Sequence, residues 1–292
     1  MKPATALRER AEAEAGRLPA LLARADQLAG TVLLGDHGRR RAGLGDDFWQ
    51  YRPAQMGDSK RMIDHRRSAR GDQQFVRERE WQIAQSVMLW IDQGASMRFC
   101  SEEARLPSKI ERARLLGLAV AILLVRGGER VGLTGTTLPP RRGNAQILRL
   151  AQSFSVDAPQ DYAPPEHRAM IPHARAVFIS DFLGDLAEVR LALTKAADRG
   201  VRGVVFQVLD PSEEQFPFRG RTIFESVGGT LRHETLKANE LRERYLTRLA
   251  ERRDELMTLC RATGWQFGLH HTGESAQQAL LWLYRALDGG TS

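Results

Sequence analysis

The chain between Val87 and Met97 reads Val-Met-Leu-Trp-Ile-Asp-Gln-Gly-Ala-Ser-Met. Its apolar run stops at Asp92 and is followed by small residues. This is typical of a strand that is buried on both faces and ends at the carboxyl edge of a parallel sheet. Because ligands bind in the crevice beyond such strand ends, we expect Asp92 and Ser96 to lie at a functional site. The alternative is that Asp92 only caps the following turn.

Downstream of this stretch, strand patterns alternate with helical patterns up to the end of the chain. This alternation predicts a doubly wound α/β domain over residues 81–292, with a mainly parallel sheet and flanking helices. A hairpin is expected at Thr222–Glu225 and Thr230–Glu234, inside an insertion near 211–236. The other predicted strands are Arg130–Gly135, Ala176–Ser180, Val204–Leu209 and Trp265–His270, and the predicted helices are Lys109–Val125, Asn144–Phe154, Leu186–Arg199, Lys237–Ala262 and one that starts at Ala276.

The first 80 residues have a different character. Helical patterns cover Ala4–Ala15 and Leu18–Leu28, and a charged segment punctuated by glycines follows from Leu34 to Arg70. That segment shows neither helical periodicity nor clean alternation, so short strands and turns are expected. Residues 1–80 are therefore predicted to form N-terminal helices plus a small irregular β subdomain.

Composition narrows the class of protein. The 292 residues carry a net charge of +7, and the excess lies mainly in residues 98–149, nearly all of it arginine. No nucleic-acid-binding motif accompanies these arginines, so nucleic-acid binding is the less favoured alternative.

The cysteines and the apolar runs bear on the location of the protein. Cys100 and Cys260 have no metal-type spacing and are expected to be reduced thiols. No apolar run reaches the roughly 20 residues of a membrane helix, and Met1–Ala15 lacks a signal-peptide core, so a cytoplasmic location is expected.

An ordered set of motifs resembles DUF58, a family of bacterial proteins named as a domain of unknown function and similar to von Willebrand factor A domains. The set covers most of the chain. It comprises Gly35-Asp36-His37, Gly45-Asp46-Asp47-Phe48, Tyr51-Arg52-Pro53, Gly57-Asp58, Arg61-Met62-Ile63-Asp64, Ala69-Arg70, Glu78 to Glu80, Asp92–Met97, Leu138-Pro139-Pro140-Arg141-Arg142-Gly143 and Asp210-Pro211.

The resemblance implies a von Willebrand A-like fold and a metal-ion-dependent adhesion site, Asp-x-Ser-x-Ser with a distant Thr and Asp. Here Gly94 stands where the first serine belongs, and Gly143-Asn144 offers no hydroxyl at the threonine position. Asp92, Ser96 and Asp181 remain as side-chain ligands for Mg²⁺ or Mn²⁺, which prefer oxygen and tolerate retained waters. The alternative is a metal-free binding face.

His270-His271, at the end of the predicted fifth strand, is a weaker candidate. Neighbouring residues on a strand point to opposite faces, so both histidines cannot ligate one ion. At least one of them is expected to be structural.

The function expected is that of a non-enzymatic protein-binding adaptor. The resemblance implies that it works with a MoxR-type AAA+ ATPase in the maturation or remodelling of client proteins. Peripheral attachment to the inner membrane through such partners is the alternative to a purely cytoplasmic location. The first alternative is a metal-dependent hydrolase that uses Asp92 and Asp181. The second is the basic nucleic-acid-binding protein considered above.

Overall fold

A computed structural model describes residues 18–32, 40–43, 47–55, 63–69, 71, 73–82, 85–101, 106–156, 158, 160–225, 229 and 232–288. The chain divides into two compact units. The larger unit comprises Met1–Gly35 and Ser86–Ser292, and the smaller comprises Asp36–Gln85.

The larger unit is built on a five-stranded sheet in which every pairing is parallel. Its strands are β4 (Ser86–Ile91), β5 (Arg130–Leu133), β6 (Arg175–Ser180), β7 (Arg202–Leu209) and β10 (Gln266–His271), in the spatial order β10-β7-β6-β4-β5. The helices are α1 (residues 18–30), α3 (Lys109–Arg126), α4 (Asn144–Phe154), α5 (Leu186–Asp198), α6 (Pro211–Gln215), α7 (Ala238–Thr263) and α8 (Ala276–Asp288). The doubly wound α/β fold expected from the sequence is confirmed.

The central strand β4 shows why the fold has helices on both faces of the sheet. Val87, Leu89 and Ile91 pack into one core with α1, α3, α4 and α8. Met88 and Trp90 pack into a second core with α5 and α7. Successive side chains of a strand point to opposite faces, so an unbroken apolar run is what two cores require.

The N-terminal helix joins the larger unit. Ala25, Ala29 and Val32 are buried in the core on the α3 face, which ties residues 18–32 to that unit. The structure thus places the domain boundary after Gly35 and again near Gln85, whereas the sequence predicts one boundary at residue 80. The predicted helix over Ala4–Ala15 lies outside the described residues.

The smaller unit is a three-stranded antiparallel sheet with the order β1-β3-β2. Its strands are β1 (Arg40–Gly43), β2 (Asp47–Pro53) and β3 (Phe75–Gln82), and a short helix α2 (His65–Ser68) precedes β3. The pairing of β2 with β3 shifts register between Phe48 and Gln50.

Two remaining predictions concern the hairpin and membrane helices. The strands β8 (Thr222–Glu225) and β9 (Arg232–Thr235) pair antiparallel, which confirms the predicted hairpin. In the described part of the chain, no helix combines the length and apolarity needed to cross a bilayer.

Candidate functional site

The candidate site lies where the strand order reverses. From β4 the chain moves to β5 on one side of β4 and then returns to β6 on its other side. This topological switch point opens a crevice beyond the carboxyl ends of β4 and β6, where ligands bind in open α/β sheets. Asp92 follows β4 directly, and Asp181 follows β6. The sequence prediction that the two acids converge is met by the strand order.

Asp92 is held by donors from three parts of the site. The Gly94 N–H donates to Asp92 Oδ1 at 2.7 Å, and the Ser180 hydroxyl donates to Asp92 Oδ2 at 2.7 Å. The Ala163 N–H also bonds to this carboxylate. Ser180 Oγ in turn accepts the Phe182 N–H at 2.9 Å. The side chain is therefore fixed in one orientation.

Burial sets the protonation of Asp92. The residue is 1% exposed, and desolvation followed by repulsion from Asp181 raises its pKa from 3.8 to about 6. The hydrogen bonds from Ser180, Gly94 and Ala163 act in the opposite direction and limit the rise. A carboxylate that titrates near neutrality in a crevice is a recognised mark of functional sites.

Asp181 is engaged by a buried lysine. Lys109 Nζ lies 2.8 Å from Asp181 Oδ2 and 2.6 Å from Glu213 Oε1, and the Lys109 and Asp181 side chains are 1% and 0% exposed. The Leu183 N–H donates to Asp181 Oδ1 at 3.1 Å. The Gln207 amide donates to the Asp181 carbonyl at 2.7 Å. The second acid therefore sits in a polar network, with no open face of its own.

The lysine remains protonated in this network. Burial acts to lower the pKa of Lys109, but the attraction of Asp181 and Glu213 outweighs it and raises that pKa above its ordinary value. For Glu213, burial raises the pKa, the Lys109 ammonium acts to lower it, and repulsion from Asp181 raises it further, with a net rise. Removing one partner from a buried ion pair typically costs about 3–5 kcal/mol, so Lys109 is a structural requirement of this cluster.

The position of Lys109 follows from the start of α3. Ser108 caps the helix by accepting the Glu111 N–H, and Glu111 accepts the Ser108 N–H in return, so Lys109 is the first helical residue. A cation at a helix N-terminus is unfavourable because the helix dipole is positive there. The two carboxylates that flank Lys109 compensate for this placement.

The remaining predicted ligand, Ser96, lies in a 3-10 turn, Ala95–Arg98, directly beyond β4. It is 9% exposed, and its hydroxyl has no hydrogen-bond partner among the described residues.

Gly94 lies in the same loop at a position with no room for a side chain. A Cβ there would lie 2.7 Å from the Asp161 carbonyl, 2.9 Å from the Ala163 nitrogen and 2.9 Å from Asp92 Oδ1.

The adhesion-site metal that the resemblance implies does not fit this arrangement. All four carboxylate oxygens of Asp92 and Asp181 already accept hydrogen bonds, and one of these donors is a lysine ammonium. Of the three predicted ligands, Ser96 alone has a side-chain oxygen without a partner among the described residues. No cluster of three or more His, Cys, Asp or Glu suited to a metal occurs among the described residues. A divalent ion would have to displace Lys109, which repels it.

A cavity of about 240 Å³ opens beside Asp92. Trp90, Tyr162 and Phe182 provide aromatic walls, and Asp185 and Glu188 add carboxylates next to Asp92. Ser180 also lines the cavity, but its hydroxyl is occupied by Asp92 and the Phe182 N–H. No His, Cys or Lys is among the lining residues that the structure describes. The cavity thus offers negative charge and apolar surface, without a nucleophile–histidine pair.

The two histidines of β10 lie apart from Asp92 and Asp181. His270 is 3% exposed, contacts Arg112 Nη1 through Nε2 at 3.0 Å and stacks on Phe206. Burial, with repulsion from Arg112, lowers its pKa from 6.5 to about 4. His271 Nε2 lies 2.7 Å from Glu214 Oε2. The two rings share one partner, because the Glu274 carboxylate lies 3.2 Å from His270 Nδ1 and 3.4 Å from His271 Nδ1.

Sequence reasoning did not find Lys109, Ser180, Glu213 or Tyr162 as members of the site. One signal was available for Lys109: a lysine in the first position of a well-capped helix opposes the helix dipole, which favours a compensating acid nearby. A second signal was available for Glu213. It lies three residues after Asp210, the acid that follows β7, and these two residues match the sequence pattern of a capping box.

The chain was compared with curated proteins, solved structures and protein families. No curated protein matches the sequence. One similar solved structure is an aerotolerance-related membrane protein from Bacteroides fragilis, at 15% identity and a TM-score of 0.41, covering 70% of this chain and all of that one. Another is the conserved hypothetical protein BatB from Bacteroides thetaiotaomicron, at 16% identity and a TM-score of 0.40, covering 71% of this chain and all of that one.

The family model described as protein of unknown function DUF58 matches residues 50–255, which is more than half of the chain. The match includes both strand ends of the switch point, Lys109 and the cavity beside Asp92. The chain belongs to the DUF58 family.

Proposed function

We propose that this protein is a non-enzymatic protein-binding module whose partner is a MoxR-type AAA+ ATPase, and that it takes part in the maturation or remodelling of client proteins. The partner class comes from the family resemblance of the sequence. The single observation that carries the binding role is the cavity beside Asp92, which opens at the switch point of the sheet. It provides a rigid, preformed receptor on the ends of two central strands.

The chemistry of the cavity favours binding over turnover. Its polar lining consists of carboxylates, a fully bonded serine and the Tyr162 phenol, and burial raises the pKa of that phenol. General acid–base or nucleophilic catalysis needs an activated pair in hydrogen-bond reach of a substrate. The hydrolase alternative also requires a metal shared by Asp92 and Asp181, but the Asp181 carboxylate is already paired with Lys109.

The negative charge of the cavity lining indicates the charge of the side chain that the partner inserts. Adhesion-site domains bind an acidic group through their metal, but here three carboxylates line or rim the cavity and no metal fits. A cationic side chain that enters the cavity would gain cation–π contacts with Trp90 and Tyr162 and the electrostatic attraction of the Asp92, Asp185 and Glu188 carboxylates. We infer that the ATPase inserts a lysine or arginine into this cavity.

The test is a binding measurement between the purified chain and the MoxR-type ATPase of the same organism. Asp92→Ala should weaken the complex at least tenfold, a loss of about 1.4 kcal/mol or more. Asp254→Asn, an exposed acid on α7 outside the cavity, is the matched control and should bind like the wild type. Treating this chain alone with chelator and dialysing it before mixing should leave the affinity unchanged.

Two results would overturn the proposal. If no complex forms at any concentration or nucleotide state tested, the ATPase partnership fails. If a complex forms and both variants bind equally, the partnership stands but the cavity beside Asp92 is not the contact.

A further inference from the structure

A second and larger cavity, of about 590 Å³, lies between α6, the β8–β9 hairpin and the N-terminal half of α7. We call it the aromatic cavity, because Phe216, Phe218, Phe224 and Tyr245 form its walls. The Phe216 ring centroid lies 5.2 Å from that of Phe218, 5.7 Å from that of Phe224 and 5.0 Å from that of Tyr245. Its size falls within the range of small-molecule sites, about 300–1,000 Å³.

The turn after α6 brings these rings together. Phe216 ends α6 in the left-handed conformation, with φ 44° and ψ 67°, and its N–H donates to the Ser212 carbonyl at 2.9 Å. A bulky residue in this conformation is strained and persists only where the surroundings hold it. Here the three neighbouring rings hold the Phe216 side chain, which is 6% exposed. The walls are thus preformed.

The mouth of the aromatic cavity carries two positively charged side chains. Arg244 and Arg248, one turn apart on α7, both line the cavity and are exposed. Neither guanidinium forms an ion pair or hydrogen bond with any residue in the described ranges. Farther along α7, by contrast, Arg252 donates to the Gly184 carbonyl and Arg253 pairs with Glu214.

The inner end of the aromatic cavity has the opposite polarity. Glu213 lines it and is held from behind by Lys109. A ligand with an anionic group would therefore point that group towards the arginines and away from Glu213, with its apolar part against the rings. The charge arrangement selects both the sign and the orientation of the ligand.

We propose that the aromatic cavity binds a small amphiphile with an apolar body and a single anionic group, of the class of a single-chain carboxylate. The rings would supply the hydrophobic contact and the two guanidinium groups would supply charge-assisted hydrogen bonds. This site is distinct from the cavity beside Asp92 and does not depend on the ATPase partnership.

The experiment titrates the full chain with decanoate and with decanol, read out by displacement of 1-anilinonaphthalene-8-sulfonate. The wild type should bind decanoate saturably at one site. The double variant Arg244→Gln/Arg248→Gln should weaken decanoate at least tenfold and change decanol less than threefold. Arg242→Gln, an exposed arginine of the same helix outside the aromatic cavity, should leave both ligands unaffected. Leu241→Trp, which places an indole in the cavity and occupies part of it, should weaken both.

Three results would overturn the proposal. The first is that decanoate shows no saturable binding to the wild type. The second is an equal loss of decanoate and decanol in the double arginine variant. The third is saturable binding that Leu241→Trp leaves unchanged while circular dichroism shows that the variant is folded.

Discussion

Lys109 Nζ lies 2.8 Å from Asp181 Oδ2, with neither side chain exposed by more than 1%. The cation that neutralises Asp181 is thus part of the polypeptide. Of the two acids at the strand ends, Asp181 is therefore not available as a ligand for an ion from solution. This relationship separates the present site from the adhesion site that the sequence resembles.

The first prediction concerns metal dependence. Wild-type stability to urea should be the same in millimolar Mg²⁺ and in chelator. Lys109→Ala should lower the free energy of unfolding by about 3–5 kcal/mol, because Asp181 and Glu213 are left buried without their cation. Millimolar Mg²⁺ should restore part of this loss, since an ion that binds only the folded state stabilises it. Stabilisation of the wild type by Mg²⁺, abolished in Asp181→Asn, would contradict the assignment of Lys109.

The second prediction concerns Gly94. Gly94→Ser restores the adhesion-site serine in the sequence, but its Cβ would meet two backbone atoms at less than 3.0 Å. We expect a loss of about 1–3 kcal/mol in the free energy of unfolding and no gain of metal affinity. The matched control is Gly30→Ala, where a Cβ meets nothing within 4 Å. A stable Gly94→Ser variant that binds Mn²⁺ would refute this reading of the loop.

The third prediction concerns the pH dependence of Asp92. Its folded pKa, about 6, lies above the ordinary value of 3.8, so the folded state favours the protonated acid. The stability it contributes is complete below about pH 3.8 and is lost as the pH rises through 6. Asp92→Asn removes this titration. The stability of Asp92→Asn relative to the wild type should therefore rise by about 2–3 kcal/mol between pH 4 and 7, measured by urea unfolding. A difference that does not change with pH would count against the raised pKa.

The fourth prediction concerns His270, whose pKa moves in the opposite sense. Burial and Arg112 hold the folded pKa at about 4, while Glu274 acts against them. Because the unfolded state takes up the proton first, stability should fall by up to about 3 kcal/mol as the pH drops from about 6.5 to 4. His270→Asn should lack this component, so its stability relative to the wild type should improve towards acid. Parallel pH profiles would contradict the prediction.

The fold was largely predictable from local patterns. The unbroken apolar run of β4, the Ser108 cap and the Gly264 stop each determine structure through nearby residues, and the predicted helix Asn144–Phe154 matches α4 at both ends. The domain boundary was less predictable. The sequence pattern of α1 indicates that the face with Ala25 and Ala29 is buried, but it does not show which unit that face packs against.

The site was predictable only in part. Strand ends locate Asp92 and Asp181, because parallel topology brings carboxyl ends together. Lys109 and Glu213 join them from positions 72 residues before and 32 residues after Asp181 in the sequence, through helix starts whose directions depend on the complete fold. The fit of Gly94 against the Asp161 carbonyl is likewise a tertiary contact that no spacing reveals.

The ion pairs of Lys109 also bear on how the molecule folds and unfolds. They close loops of 72 and 104 residues between α3, β6 and α6. Contacts of such long range are expensive to close early, so the lysine should meet its acids after the folding barrier has been crossed. Its replacement should then leave the refolding rate almost unchanged and speed up unfolding. The buried Lys109 ammonium would therefore slow unfolding and lengthen the lifetime of the native state.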